Sequence, residues 1–77
     1  MLNDKQVAWL LQKEQQIRTK YPIKDMLTAT DDMWKAFTDD VEAFCKATNN
    51  NRAVVRWMVS LCKEYDARYK IYRNEGD

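Results

Sequence analysis

The fold is decided by the stretch RAVVRWMVSLCKEYDARYKIY at residues 52–72. Its apolar residues return every three or four positions, which is the spacing of one face of an α-helix. The members of this face are Val54, Met58, Leu61, Cys62, Tyr65, Tyr69 and Tyr72. Three asparagines precede the stretch, and asparagine both tolerates left-handed backbone geometry and caps helices. We therefore predict a helix over about residues 51–73.

The same spacing predicts two helices upstream, over about residues 4–21 and 30–48. The first apolar face contains Val7, Leu10, Leu11, Ile17 and Tyr21, with Glu14 as its one polar member, and the second contains Met33, Trp34, Phe37, Val41, Phe44 and Cys45. Pro22 ends the first helix, because proline lacks a backbone N–H and restricts the residue before it. The connector at residues 22–30 is apolar enough to pack under the core, with room for one extra helical turn.

The predicted fold class is all-α, and the predicted architecture is a small antiparallel three-helix bundle. Connectors this short place neighbouring helices antiparallel. A chain of 77 residues buries only about 60% of its unfolded surface, so its core is thin. Three tryptophans, four tyrosines and two phenylalanines compensate with large side chains. We find no repeat or linker and expect a single domain over residues 1–77.

The composition argues against several classes of function. The chain has no histidine, which removes the usual general base near neutral pH and any histidine metal site. Its single glycine cannot build a P-loop or a dinucleotide-binding loop. Cys45 and Cys62 belong to inward faces, where we expect reduced, shielded thiols rather than nucleophiles. We expect no enzyme activity, no cofactor and no metal site.

Localisation is predicted from what the first thirty residues lack. They do not combine a basic start, a long apolar segment and a small-residue cleavage site, and the longest fully apolar run covers only residues 7–11. These features predict a cytoplasmic protein that neither carries a standard secretion signal nor spans a membrane.

The charged residues alternate in sign along the chain, from basic to acidic and back to basic. On the second helix, Asp32, Asp39 and Glu42 fall on the side opposite Phe37. Lysines four residues from neighbouring carboxylates favour an ordinary solvated face. The alternatives for this acidic face are docking to a basic partner and, less favoured, a metal site.

The third helix has an outward basic stripe, formed by Arg52, Arg56, Lys63 and Lys70. A solvated face is the simplest interpretation. The stripe also suits an acidic protein partner or a nucleic acid, because it can follow a phosphate backbone.

Three large apolar residues lie off the core faces: Trp9, Trp57 and Ile71. Some can simply widen the core of so small a domain. The alternative is a binding surface, because tryptophan beside arginine is the composition of an interaction hot spot. Arg56, Trp57 and Ser60 lie close together on the third helix and complete the predicted protein-binding set.

We therefore predict a small non-enzymatic protein-binding module, such as an accessory or inhibitor protein that a bacterium or phage directs at a host protein. A nucleic-acid-binding protein that uses the basic stripe is the first alternative. A structural homo-oligomer assembled through Trp9, Trp57 and Ile71 is the second.

Overall fold

Four α-helices make up the protein in a computed structural model that describes residues 1–75. They are α1 (Asp4–Lys20), α2 (Ile23–Met26), α3 (Asp31–Lys46) and α4 (Arg52–Glu75). Within that range no strand occurs, so the all-α prediction is confirmed. The three long helices begin and end within two residues of their predicted bounds.

The helix count differs from the prediction, because the connector contains the four-residue helix α2. Pro22 caps its start with φ −56°, and the Pro22 carbonyl accepts hydrogen bonds from the N–H groups of Asp25 and Met26. Proline suits the beginning of a helix because its ring fixes a helical φ. Met26 is 1% exposed, so the extra turn directs one large side chain into the core.

The start of α1 is fixed by reciprocal hydrogen bonds. The Asn3 side chain accepts from the Gln6 N–H, and the Gln6 side chain accepts from the Asn3 N–H, both at 2.9 Å. This capping box satisfies two backbone donors that the helix itself leaves unpaired.

The turn between α3 and α4 is built by asparagines, as predicted. Asn49 and Asn50 have φ of 54° and 57°, the left-handed region that asparagine tolerates. The Asn51 side chain then accepts hydrogen bonds from the N–H groups of Ala53 and Val54, at 3.0 and 3.3 Å. The chain can therefore reverse and begin α4 without a glycine.

One hydrophobic core joins all four helices, and α4 contacts each of the others. Its buried residues are Leu10, Ile17, Tyr21, Met26, Phe37, Val41, Cys45, Val54, Met58, Leu61 and Tyr65. At its centre the Phe37 ring lies 4.6 Å from that of Tyr65, 5.6 Å from that of Tyr21 and 5.7 Å from that of Trp34.

Three residues predicted to face the core are exposed instead. Leu11 is 51% exposed because it follows the buried Leu10 and lies about 100° further around α1. Met33 is 41% exposed because the buried face of α3 is centred nearer Val41, which leaves Met33 at its edge. Tyr72 is 45% exposed because it lies near the end of α4, the longest helix.

The length of α4 explains the elongated shape of the molecule. Its 24 residues span about 36 Å, compared with about 24 Å for the 16 residues of α3. The last turns of α4 therefore have less surface to pack against, and Ile71 is 58% exposed. None of the helices formed by residues 1–75 has both the length and the apolar character needed to cross a membrane.

Candidate protein-binding groove

Three of the predicted binding residues line one groove between α1 and α4. Arg56, Trp57 and Ser60 form its α4 side, and Leu61 and Ala53 also line it. The groove is open to solvent and has a volume of about 480 Å³. It therefore exposes part of an aromatic side chain beside charged and polar groups.

The opposite side of the groove holds the Trp57 indole in place. The indole Nε1–H donates a hydrogen bond of 3.0 Å to Glu14 Oε1. Arg18 Nε lies 3.5 Å from Glu14 Oε2, and Arg18 Nη1 donates a 2.7 Å bond to Glu64 Oε2. These contacts therefore join α1 and α4 at two points, through Trp57 with Glu14 and through Arg18 with Glu64.

This network shifts the pKa values of Arg18 and Glu64. The hydrogen bond from Arg18 is the main reason that the pKa of Glu64 lies below its ordinary value. The same bond raises the pKa of Arg18, against a smaller opposing effect of burial. Both groups therefore stay charged throughout the neutral range.

Arg56 and Ser60 lie at the rim of the groove, and both are exposed. Arg56 forms no ion pair with the residues whose side chains the structure describes, 1–74. Its guanidinium group can therefore turn toward a partner without breaking an internal contact.

Trp9 and Ile71 are not part of this groove. The Trp9 ring packs edge-on against Phe44, with centroids 6.3 Å apart, and Lys13 Nζ lies 5.6 Å from the Trp9 ring. Trp9 lines a separate recess, and Ile71 lies fourteen residues beyond Trp57, about 21 Å along α4. The structure does not bring Trp9, Trp57 and Ile71 into one surface.

The predicted acidic face is exposed, and most of its expected lysine pairs are not formed. Asp32, Asp39 and Glu42 all reach solvent. Within residues 1–74, the only one of them in an ion pair is Asp39, whose carboxylate lies 3.1 Å from the Lys35 ammonium. The face is therefore a hydrated acidic surface.

A neighbouring carboxylate on α3 has a more important role that the sequence did not reveal. Asp40 Oδ2 accepts a 2.6 Å hydrogen bond from the Tyr21 hydroxyl and a 2.8 Å bond from Lys20 Nζ. Both bonds lower the pKa of Asp40, and the bond from Lys20 has the larger effect. They join the end of α1 to the middle of α3.

The basic stripe of α4 is exposed along its whole length. Lys70 pairs with Asp66 at 2.9 Å. Arg52, Arg56 and Lys63 have no carboxylate partner in the part of the chain with described side chains. These three cations are available to an anionic partner.

The two thiols are shielded, Cys45 more than Cys62. Cys45 is buried and Cys62 is half-buried, and both are free thiols. Burial raises the pKa of both, with nearby Glu42 adding to the effect at Cys45. Neither cysteine therefore has the lowered pKa that a nucleophilic thiolate requires.

Glu14, Arg18 and Glu64 are the charged groove residues that we did not predict. Glu14 could have been suspected from the sequence, because it is the one polar residue in the predicted apolar face of α1. No family model, no curated protein and no solved structure matches the chain.

Proposed function

We propose that the protein is a non-enzymatic protein-binding module, a cytoplasmic accessory or inhibitor protein of bacterial or phage type that acts on a host protein. The proposed contact surface is the groove lined by Arg56, Trp57 and Ser60. The observation that carries the proposal is the hydrogen bond between Trp57 Nε1 and Glu14, which holds a half-buried indole at an open groove.

A fixed indole is suited to binding for an energetic reason. Ordering a mobile side chain at an interface costs about 0.5–1.5 kcal/mol, and Trp57 is already ordered in the unbound protein. Tryptophan and arginine are also the residues most enriched where single side chains dominate binding energy. Trp57 beside Arg56, which has no ion-pair partner among the described side chains, combines both properties.

The non-enzymatic part of the proposal rests on the available nucleophiles. Cys45 and Cys62 have raised pKa values and are shielded from solvent. Glu14 and Glu64 are engaged by Arg18, so neither is a free general base in the groove. These pairings favour structural roles for the groove carboxylates.

The proposal includes a single domain in which the three long helices form an antiparallel bundle. Trp9 near the start of α1 contacts Phe44 near the end of α3. Trp34 near the start of α3 contacts Tyr69 near the end of α4. Both contacts support opposite directions for consecutive long helices.

The test begins by capturing partners from lysate of the native host and purifying the principal one. Its affinity is then measured for wild type, Trp57→Ala and the control Tyr72→Ala. Tyr72 is an exposed aromatic residue on the same helix but outside the groove. We expect Trp57→Ala to weaken binding at least about thirtyfold, equivalent to about 2 kcal/mol, and Tyr72→Ala to have little effect. Equal affinities for wild type and a folded Trp57→Ala variant would contradict the proposal.

Nucleic-acid binding is the second candidate, supported by Arg52, Arg56 and Lys63, which form no ion pair within residues 1–74. It is tested by titrating labelled duplex and single strands with wild type and with a triple variant in which Arg56, Lys63 and Lys70 are replaced by glutamine. We expect no binding to duplex DNA tighter than about 10 μM at physiological salt. Sub-micromolar binding that the triple variant abolishes would favour this candidate over the protein-binding module.

A further inference from the structure

A small recess between the beginning of α3 and the second half of α4 has aromatic walls and acidic edges. It is lined by Asp31 and Trp34 of α3 and by Asp66 and Tyr69 of α4. The two rings have centroids 5.5 Å apart and planes inclined at 71°. They therefore form a corner, with carboxylates contributed from both helices.

These groups attract one class of ligand. An aromatic ring carries negative electrostatic potential on its faces, so a ring face that borders the recess attracts a cation. Carboxylates nearby add a direct charge interaction. We propose that this recess binds a compact organic cation, an alkylammonium or guanidinium group, either as a free molecule or as the end of a lysine or arginine side chain.

A cation of the protein itself already lies against one of these rings. The Arg73 guanidinium carbon is 5.7 Å from the centroid of Tyr69, and Arg73 Nη1 donates a 3.0 Å hydrogen bond to the Tyr69 hydroxyl. The Tyr69 ring is thus placed where a cation can approach it. This contact is independent of the two carboxylates.

The size of the recess restricts the ligand to a small group. Its volume is about 180 Å³, whereas pockets for drug-sized molecules measure about 300–1,000 Å³. Liquid water occupies about 30 Å³ per molecule, so the recess has the volume of about six waters. It fits a charged headgroup and leaves the remainder of a larger ligand outside.

Three positive charges near the recess oppose binding, and none dominates. Arg73, which lies over Tyr69, is exposed, so its contact with the ring is weak and a ligand can compete with it. The N-terminus of α3 carries about half an elementary charge, which the adjacent carboxylates of Asp31 and Asp32 outweigh. The Lys70 ammonium pairs with Asp66, but both side chains are more than half exposed. Exposed pairs four residues apart are weakly held, so a ligand can compete with Lys70 for Asp66.

The recess is separate from the proposed protein-binding groove. Asp66 follows Trp57 by nine residues, which places it about half a turn around α4, on the opposite side of the helix. Cation binding here therefore does not depend on the groove, and the two proposals succeed or fail separately.

The experiment is an NMR titration of the full chain that monitors the indole N–H signals of Trp34, Trp9 and Trp57. The probes are tetramethylammonium chloride and N-acetyl-lysine methylamide, which distinguish a free cation from a side chain. tert-Butanol and N-acetyl-norleucine methylamide serve as their neutral counterparts, and sodium chloride matches the ionic strength. We expect saturable shifts at Trp34 with at least one charged probe and not with its neutral counterpart. Equal responses to charged and neutral probes, or no saturable shift at Trp34, would overturn the proposal.

Charge variants provide the second measurement. Asp31→Asn and Asp66→Asn should each weaken binding about two- to fivefold, the usual range for one exposed charge contact. Lys70→Gln should strengthen binding, because it frees Asp66, and Asp39→Asn is the matched acidic control outside the recess. If neither Asp66→Asn nor Lys70→Gln changes the affinity, the assignment of this recess as the cation site is wrong.

Discussion

The hydroxyl of Tyr65 donates a 2.7 Å hydrogen bond to the backbone carbonyl of Tyr21, the residue that caps the end of α1. Carbonyl groups at the end of a helix have no partner within that helix. Tyr65 is 1% exposed, so water has little access to this bond. A side chain of α4 thus satisfies the backbone where Pro22 ends α1.

Replacing Tyr65 by phenylalanine should lower the free energy of unfolding by about 1–3 kcal/mol, because the Tyr21 carbonyl then stays buried without a partner. Urea denaturation measures the change. Tyr72→Phe, which removes an exposed hydroxyl from the same helix, should leave the midpoint unchanged. Equal stability of the two variants would show that the buried bond contributes nothing measurable.

Phe37→Ala should lower the free energy of unfolding by about 3–5 kcal/mol, since it opens a cavity where four aromatic rings meet. Met33→Ala is the matched control on the same helix and should change it far less, by about 0.5 kcal/mol, because Met33 is 41% exposed and lies at the edge of the buried face. Thermal unfolding followed by circular dichroism compares them. A large loss of stability in the Met33 variant would instead support the sequence-based prediction that Met33 faces the core.

Most of the core could be predicted from the sequence, because periodic spacing identifies the apolar side of each helix. Spacing does not determine how each helix is rotated about its own axis when it packs. Leu11 lies about 100° from the buried Leu10, and Met33 lies about 80° from Val41, so both are at the margins of faces whose centres depend on how the helices pack. The exposure of Tyr72 depends on how far the other helices extend alongside the end of α4, which apolar spacing within α4 does not determine.

Only the α4 side of the candidate groove was predicted from the sequence. Arg56, Trp57 and Ser60 are neighbours on one helix, so their proximity follows from helical geometry. Glu14 lies 43 residues before Trp57, and its bond to the indole depends on how α1 packs against α4. The pairing of Asp40 with Tyr21 is likewise a contact between helices, beyond what the four-residue spacing rule can predict.

Acid should destabilise the protein through Asp40. The folded state lowers the pKa of Asp40, so the unfolded chain binds the proton more tightly. The resulting stability is present above the ordinary aspartate pKa of about 3.9 and is lost as pH falls through the lower folded-state value. Urea denaturation from pH 6 to about pH 2.5 should therefore show a declining free energy of unfolding below about pH 4.

The Asp40→Asn variant should have a flatter acid limb in that measurement than wild type, because it has no carboxylate to protonate at this position. Asp39→Asn is the control, since its partner Lys35 is 76% exposed and the pair contributes little. Glu64, whose pKa is also lowered, supplies part of the remaining acid dependence. Parallel acid limbs for wild type and Asp40→Asn would refute the role given to Asp40.

The two thiols should react with iodoacetamide at different rates in the native protein. Cys62 is half-buried and Cys45 only 9% exposed, so Cys62 should be alkylated first, and both more slowly than in urea. The raised pKa values of both thiols also slow alkylation in the native protein, because less thiolate is present at a given pH. Mass spectrometry after timed quenching follows both sites. Faster labelling of Cys45 than of Cys62, or a disulfide between them, would contradict the structure.

The contacts of α4 with every other helix also bear on how the chain folds during its synthesis. Ribosomes release α1, α2 and α3 before α4. α1 and α3 contact each other, but the surfaces with which these three helices pack against α4 have no cover until α4 emerges. The nascent chain therefore exposes an aromatic, apolar surface until α4 emerges. Transiently exposed surface of this kind promotes aggregation and is what chaperones bind. We infer that the protein folds after synthesis of α4 rather than stepwise.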